Sequence, residues 1–381
     1  MINKYLFFIF IFIFISLFGC SQIQNENFTA ATASRKIQTE FSLNNFLESN
    51  VDLDNKTNLV FNLMDDSSKV AQLLMPAVGR MGLTKLEIDE LVKKRMIGGM
   101  LMLNGTKEEF KSWIIEFNAI NKKKNYLPFL YSADAEPSLI NRKIIGSTPV
   151  KKAQEVKTIE EAIEVASLIS KDLNEIGINY NFAPVIDVSG NTTVGYRGFG
   201  EKIENLIPWS TAFVKETQSK NIIATAKHFP GHGLVSGDTH KTLQTINGEL
   251  KELENYPPLI QSGVLSIMIA HIAITNNKEY DSKGMPATTS DTIVTKLLRN
   301  KLNFKGLIVT DAMNMGGVSQ IKNAAVKTID AGCDIILMPL EIKIAYNEIL
   351  NKYKANQVFK LKVDNSVKRI VRMKICLGLI K

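Results

Sequence analysis

The stretch Ile222-Ile223-Ala224-Thr225-Ala226-Lys227-His228-Phe229-Pro230-Gly231-His232-Gly233 decides how this chain is read. Its first five residues form a short apolar run without strict alternation, the pattern of a strand buried on both faces. The character then changes at once to a cation, two imidazoles, a proline and two glycines, which suit neither a continuing helix nor a continuing strand. Polar, reactive residues at the end of a buried strand mark a loop that does chemistry on a rigid support.

Working outward, the same rhythm recurs on both sides. Apolar runs at 73–78, 97–103, 127–131, 178–185, 266–270, 306–310 and 334–338 bring the strand candidates to about eight. Amphipathic stretches separate several of them. The clearest is 158–176, with Ala162, Ile163, Ala166, Ile169 and Leu173 at helical spacing and Gly177 as its stop. Buried strands alternating with helices predict an α/β domain with a parallel sheet, and an open doubly wound sheet would give the same local pattern. Two features favour a (β/α)8 TIM-type barrel as a single catalytic domain over 57–381. The count is about right, and Asp134, Asp187, His228, His271 and Asp311 fall at the ends of runs, which a barrel brings to one mouth.

The chain has 381 residues, 45% hydrophobic and 22% charged, which excludes a disordered chain and a bundle of membrane spans. Three cysteines, Cys20, Cys333 and Cys376, give neither a disulfide framework nor a CxxC zinc pair. The net charge of +8 comes from scattered lysines and arginines without a nucleic-acid motif, so no nucleic-acid partner is expected. The first 19 residues hold one early cation, Lys4, and an apolar run from Tyr5 to Phe18 that is short for a membrane span. Leu17-Phe18-Gly19-Cys20 resembles a bacterial lipobox, in which Cys20 is lipidated and becomes the first mature residue; a plain signal peptide or a retained anchor helix is the alternative. Residues 20–56 are polar and read as a flexible tether. An exported, membrane-anchored lipoprotein, periplasmic or on the cell surface and monomeric, is the expectation.

Three of the four histidines lie in the segment from His228 to His240. His228 and His232 have the helical spacing of a zinc pair, but Pro230 and the glycines break the helix that would align them and no Glu lies between them, so zinc would have to be held through a loop. Asp238-Thr239-His240 offers a different chemistry: a carboxylate two residues from an imidazole can orient it and raise its basicity, so that it gives and takes a proton near neutral pH. Asp311, at the end of the run 306–310, is either a nucleophile in the mouth or the N-cap of a following helix.

Lys227-His228-Phe229-Pro230-Gly231-His232-Gly233 resembles the signature of glycoside hydrolase family 3, in its single-domain β-N-acetylglucosaminidase branch. The resemblance covers roughly residues 69–338. Phe182-Ala183-Pro184-Val185-Ile186-Asp187-Val188 is similar to the family's central strand, and Arg197-Gly198-Phe199-Gly200 resembles its Arg-Ser-Phe-Gly element. Ile269-Ala270-His271-Ile272 and Thr310-Asp311-Ala312-Met313-Asn314-Met315 follow in the family's order. The resemblance implies that Asp311 is the nucleophile of a retaining reaction and that His240, oriented by Asp238, is the general acid and base. It further implies that Asp134, Arg142, Arg197, Lys227 and His228 bind the terminal sugar, and that no metal or cofactor takes part. Where the family usually reads Asp-x-Glu-Gly-Gly-Arg, this chain has Asp134-Ala135-Glu136-Pro137-Ser138-Leu139, so the loop is expected to take another path. The implied activity is exo-β-N-acetylglucosaminidase action on GlcNAc-terminated glycans such as peptidoglycan fragments. A phosphorylase and an inactive sugar-binding lipoprotein are the alternatives.

Overall fold

Seven parallel strands form the central sheet of the computed structural model, which describes residues 41–188, 190–191, 193–200 and 202–381. In spatial order they are Leu307–Thr310, Ser266–Ile269, Ile223–Phe229, Tyr180–Asn181, Leu130–Ala133, Gly99–Met102 and Ala77–Val78. The pair Leu74–Met75 and Ile336–Leu337 forms a separate two-stranded parallel ladder. The eight expected runs therefore appear as a seven-stranded sheet and a two-stranded ladder in a TIM-like α/β fold. Pro76, which has no N–H to donate, interrupts the run 73–78, whose first part pairs with Ile336–Leu337 and whose second part pairs with Gly99–Met102.

The helices lie between successive strands, as parallel connections require. Ile159–Ile176 follows the sequence reading closely. The Thr158 side chain accepts from the Glu161 N–H at its start, and Gly177, at φ 98°, takes the left-handed turn that ends it. Strand boundaries shifted where chemistry intervenes. The expected run 222–226 extends as Ile223–Phe229, so Lys227 and His228 belong to the strand itself rather than to the loop after it.

One expectation is corrected at the N-terminal side. Residues 41–56, read as belonging to the tether, lie in the folded unit 40–381. Leu43, Phe46 and Leu53 are buried, and helix Val51–Asn62 packs on helix Gln357–Cys376. Asn50 caps the first of these helices by accepting from Leu53 N–H at 3.0 Å, worth about 1 kcal/mol. Arg372 reaches across to the Phe46 carbonyl at 2.8 Å. The apolar positions are too widely spaced to stand out locally, and only the distant C-terminal helix gives them a surface to cover. Cys20 and the signal segment 1–19 lie outside the described residues. Among the described residues no helix is long and apolar enough to cross a membrane.

Candidate active site

The site sits at the C-terminal ends of the strands, and its central feature is a bulge. In the ladder between 223–229 and 266–269, Met268 pairs with Lys227 but Ile269 pairs with Phe229. His228 is the extra residue. In a regular strand, neighbours point to opposite faces; here Lys227 and His228 both line the same cavity of about 400 Å³.

Asp134, Arg142 and Arg197 line that cavity, and so do His240 and Asp311. Asp238 stands behind His240. Its Oδ1 lies 2.8 Å from His240 Nδ1 and accepts from the His240 N–H at 3.0 Å, which turns Nε2 away from the pair. The His240 imidazole is mostly exposed, at 58%. Residues that the resemblance singled out far apart along the chain, from Asp134 to Asp311, thus share one opening.

A buried charge cluster supports the opening. Glu136 has no exposed side-chain surface, and it accepts two parallel bonds from Arg197, at 2.8 and 2.6 Å. Lys227 Nζ lies 2.5 Å from the same carboxylate and also bonds Asp134. The second oxygen of Asp134 bonds Lys143. Burial alone would raise the Asp134 carboxyl, but the Lys143, Lys227 and Arg197 cations hold it well below the usual carboxylate range. Lys143 and the bridging role of Glu136 were not apparent in the sequence. Arg142, which the resemblance favoured, is exposed at the rim while its neighbour Lys143 reaches Asp134. The altered loop is held by Ser138, whose hydroxyl donates to the Tyr196 carbonyl at 3.0 Å and accepts from Ala153 N–H at 3.1 Å.

Asp311 is no helix N-cap, because the next helix is Ala324–Ala331. Its Oδ1 accepts from Ala312 N–H at 2.8 Å, and the residue lines the cavity. Burial would push its pKa up; the nearby His228 and His271 rings, the Ala312 N–H and Lys227 outweigh that and keep the carboxyl below its ordinary value. It is therefore ionised at neutral pH.

Asp187 organises the strand end. It accepts from the backbone N–H of His228 and of His232, and its Oδ2 lies 2.6 Å from His228 Nδ1. Glu252 acts in the same way a layer further from the cavity, accepting from Val188 and Leu234 N–H at 2.7 and 3.2 Å; burial and the Asp187 carboxylate push it up to about 8. His228 Nδ1 and His232 Nε2 both have protein partners, Asp187 and Thr239. Among the described residues no cluster of three or more His, Cys, Asp or Glu could hold a metal ion.

Residues 66–373 match the family model described as the glycosyl hydrolase family 3 N terminal domain. The chain is 30% identical over 332 residues to a beta-hexosaminidase A of Pseudoalteromonas piscicida, covering 76% of this chain and 55% of the relative. It is 28% identical over 262 residues to a beta-hexosaminidase of Vibrio cholerae serotype O1, covering 65% and 77%. Among solved structures, a glycoside hydrolase family 3 beta-N-acetylglucosaminidase from Paenibacillus sp. str. FPU-7 superposes with a TM-score of 0.75 at 28% identity, covering 83% of this chain and 63% of that one. A beta-glucoside phosphorylase shares the fold, with a TM-score of 0.77 at 21% identity over 87% of this chain and 62% of that one. The chain thus spans little more than half of the Pseudoalteromonas relative and under two thirds of the Paenibacillus structure.

Proposed function

The chain belongs to glycosyl hydrolase family 3, and from that premise we propose that it is a retaining exo-β-N-acetylglucosaminidase acting on terminal GlcNAc of peptidoglycan fragments or related glycans. The observation that carries this reading is an ionised Asp311 lining the same cavity as Lys227, His228 and His240. The beta-hexosaminidase names of the Pseudoalteromonas and Vibrio relatives support the choice of sugar.

In the proposed reaction, Asp311 Oδ2 attacks the anomeric carbon and the glycosidic C–O bond breaks. His240 Nε2 gives its proton to the departing oxygen. Water then attacks the glycosyl-Asp311 ester and passes a proton to His240, which releases the sugar with its configuration retained. Asp238 fixes the tautomer by holding Nδ1. Asp134, Arg142, Arg197, Lys227 and His228 would hold the sugar hydroxyls, with Lys143 as the further cation beside Asp134.

The proposal extends to a closed (β/α)8 barrel. Its support is the bridge between Val309 and Ile335, with the bond from Thr310 N–H to the Ile335 carbonyl, on one side of the two-stranded ladder and the bond from Gly98 N–H to the Leu74 carbonyl on the other, which tie that ladder to both ends of the sheet. It extends also to export and membrane anchoring through a lipidated Cys20, on the lipobox resemblance alone.

An aryl β-N-acetylglucosaminide tests the reading. The wild-type chain should release the phenol, and Asp311→Ala should lose roughly a thousandfold or more. Equal release from both, or none from either with tight sugar binding kept, would reject the enzyme reading. An imidazole does not repel phosphate as a carboxylate base does, so the exposed Asp238–His240 pair also admits phosphorolysis. Sugar phosphate formed only in phosphate buffer identifies that variant.

A further inference from the structure

The hydroxyl between Asp238 and His240 is the most confined group on the loop. Thr239 is 1% exposed although His240 beside it is mostly open to solvent. Its Oγ1 lies 2.7 Å from Nε2 of His232, itself 2% exposed. His232 Nδ1 is buried without a hydrogen-bond partner, which places the single proton of a neutral ring on Nε2, since an unpaired buried N–H costs more than a hydrogen bond made. His232 therefore donates to Thr239. His232 is itself pinned by its backbone N–H to Asp187 at 2.8 Å, the carboxylate that also holds His228.

The other side of the loop rests on the segment after Asp311. Gly317 N–H donates to the Thr239 carbonyl at 3.2 Å, and Gly316 N–H to the His240 carbonyl at 2.9 Å. A Cβ on Gly316 would stand 2.0 Å from the Lys241 carbonyl oxygen, so only glycine admits this approach.

We propose that Thr239 is a positioning residue: its hydroxyl, gripped by His232, together with the glycine pair 316–317, seats His240 over the cavity and ties the acid/base loop to the segment that carries Asp311. Thr239 touches no substrate in this scheme. It acts by raising the fraction of molecules in which Nε2 of His240 faces the leaving oxygen. The inference rests on the proposed glycosidase reading and deepens it.

Leaving-group dependence of kcat/KM separates positioning from plain structural support. An activated aryl leaving group departs without a proton, whereas an alkyl or sugar leaving group needs one. Thr239→Val keeps the shape, removes the acceptor and leaves the His232 N–H unpaired. It should hold kcat/KM on a dinitrophenyl β-N-acetylglucosaminide within about threefold while losing about 10- to 100-fold on an alkyl glycoside. Thr239→Ser should restore the wild-type pattern, and Gly316→Ala should reproduce that of Thr239→Val. Amide hydrogen exchange at Gly316 and Gly317 should quicken in Thr239→Val, a readout independent of turnover. Equal losses on both substrates, or none, together with unchanged exchange, overturn the inference while an active wild type keeps the glycosidase reading. A wild type inert toward both substrates removes that reading and this one with it.

Discussion

Glu136→Gln is the sharpest test of how the site is held together. The side chain is fully buried and bridges two cations, Arg197 at 10% and Lys227 at 2% side-chain exposure. The cluster carries two carboxylates, Asp134 and Glu136, against Arg197, Lys227 and Lys143. Replacing Glu136 leaves one carboxylate facing three cations, and the new amide must point its NH2 at one of them. Removing one partner of a buried ion pair costs about 3–5 kcal/mol, because the other charge stays out of water without compensation. Urea denaturation at pH 7 should therefore give a stability lower by that amount with an unchanged slope. The freed Arg197 and Lys227 should also raise KM more than they lower kcat. A double-mutant cycle with Arg197→Met completes the test: the second substitution should cost far less in the Glu136→Gln background than alone. A midpoint and a KM equal to those of wild type would refute the idea that Glu136 aligns the two cations.

Two further outcomes follow from regions away from the site. Lys374 is fully buried against Gln72 and the Gly98 carbonyl, and burial lowers its pKa to about 7. The unfolded chain takes up that proton near 10.4 and the folded chain only near 7, so stability falls as pH drops through this window and levels off below it. At about 1.4 kcal/mol per pH unit, Lys374 by itself should contribute about 2.5 kcal/mol more at pH 9.5 than at pH 7.5, read as the change in the stability difference between wild type and Lys374→Met; a difference that stays constant in urea titrations would count against a neutral Lys374. Cys20→Ser should move the protein from the membrane to the soluble fraction of the producing cell; retention at the membrane would reject lipid anchoring through that residue.

The composition of the site was legible because its members belong to short, unusual strings. His228, His240 and Asp311 follow buried runs or sit among glycines, and such strings need no knowledge of neighbours. Lys143 and Thr239 were missed for the opposite reason. A lysine next to an arginine and a threonine inside Asp-Thr-His look ordinary until Asp134 and His232 are found beside them. The tether boundary failed in the same way, since Leu43, Phe46 and Leu53 become core only against helix Gln357–Cys376.

Taken alone, the order of residues determined what local physics governs: the parallel α/β rhythm, the Gly177 stop, and the strand ends where reactive groups cluster. Periodicity and backbone preference act within a few residues, so they survive without tertiary context. Only the folded chain decided that a bulge turns both Lys227 and His228 into one cavity, that Glu136 bridges Arg197 and Lys227, and that Thr239 is gripped by His232. Ladder register and ion pairing depend on partners tens of residues away, and their energies exist only once topology brings those partners within hydrogen-bond reach.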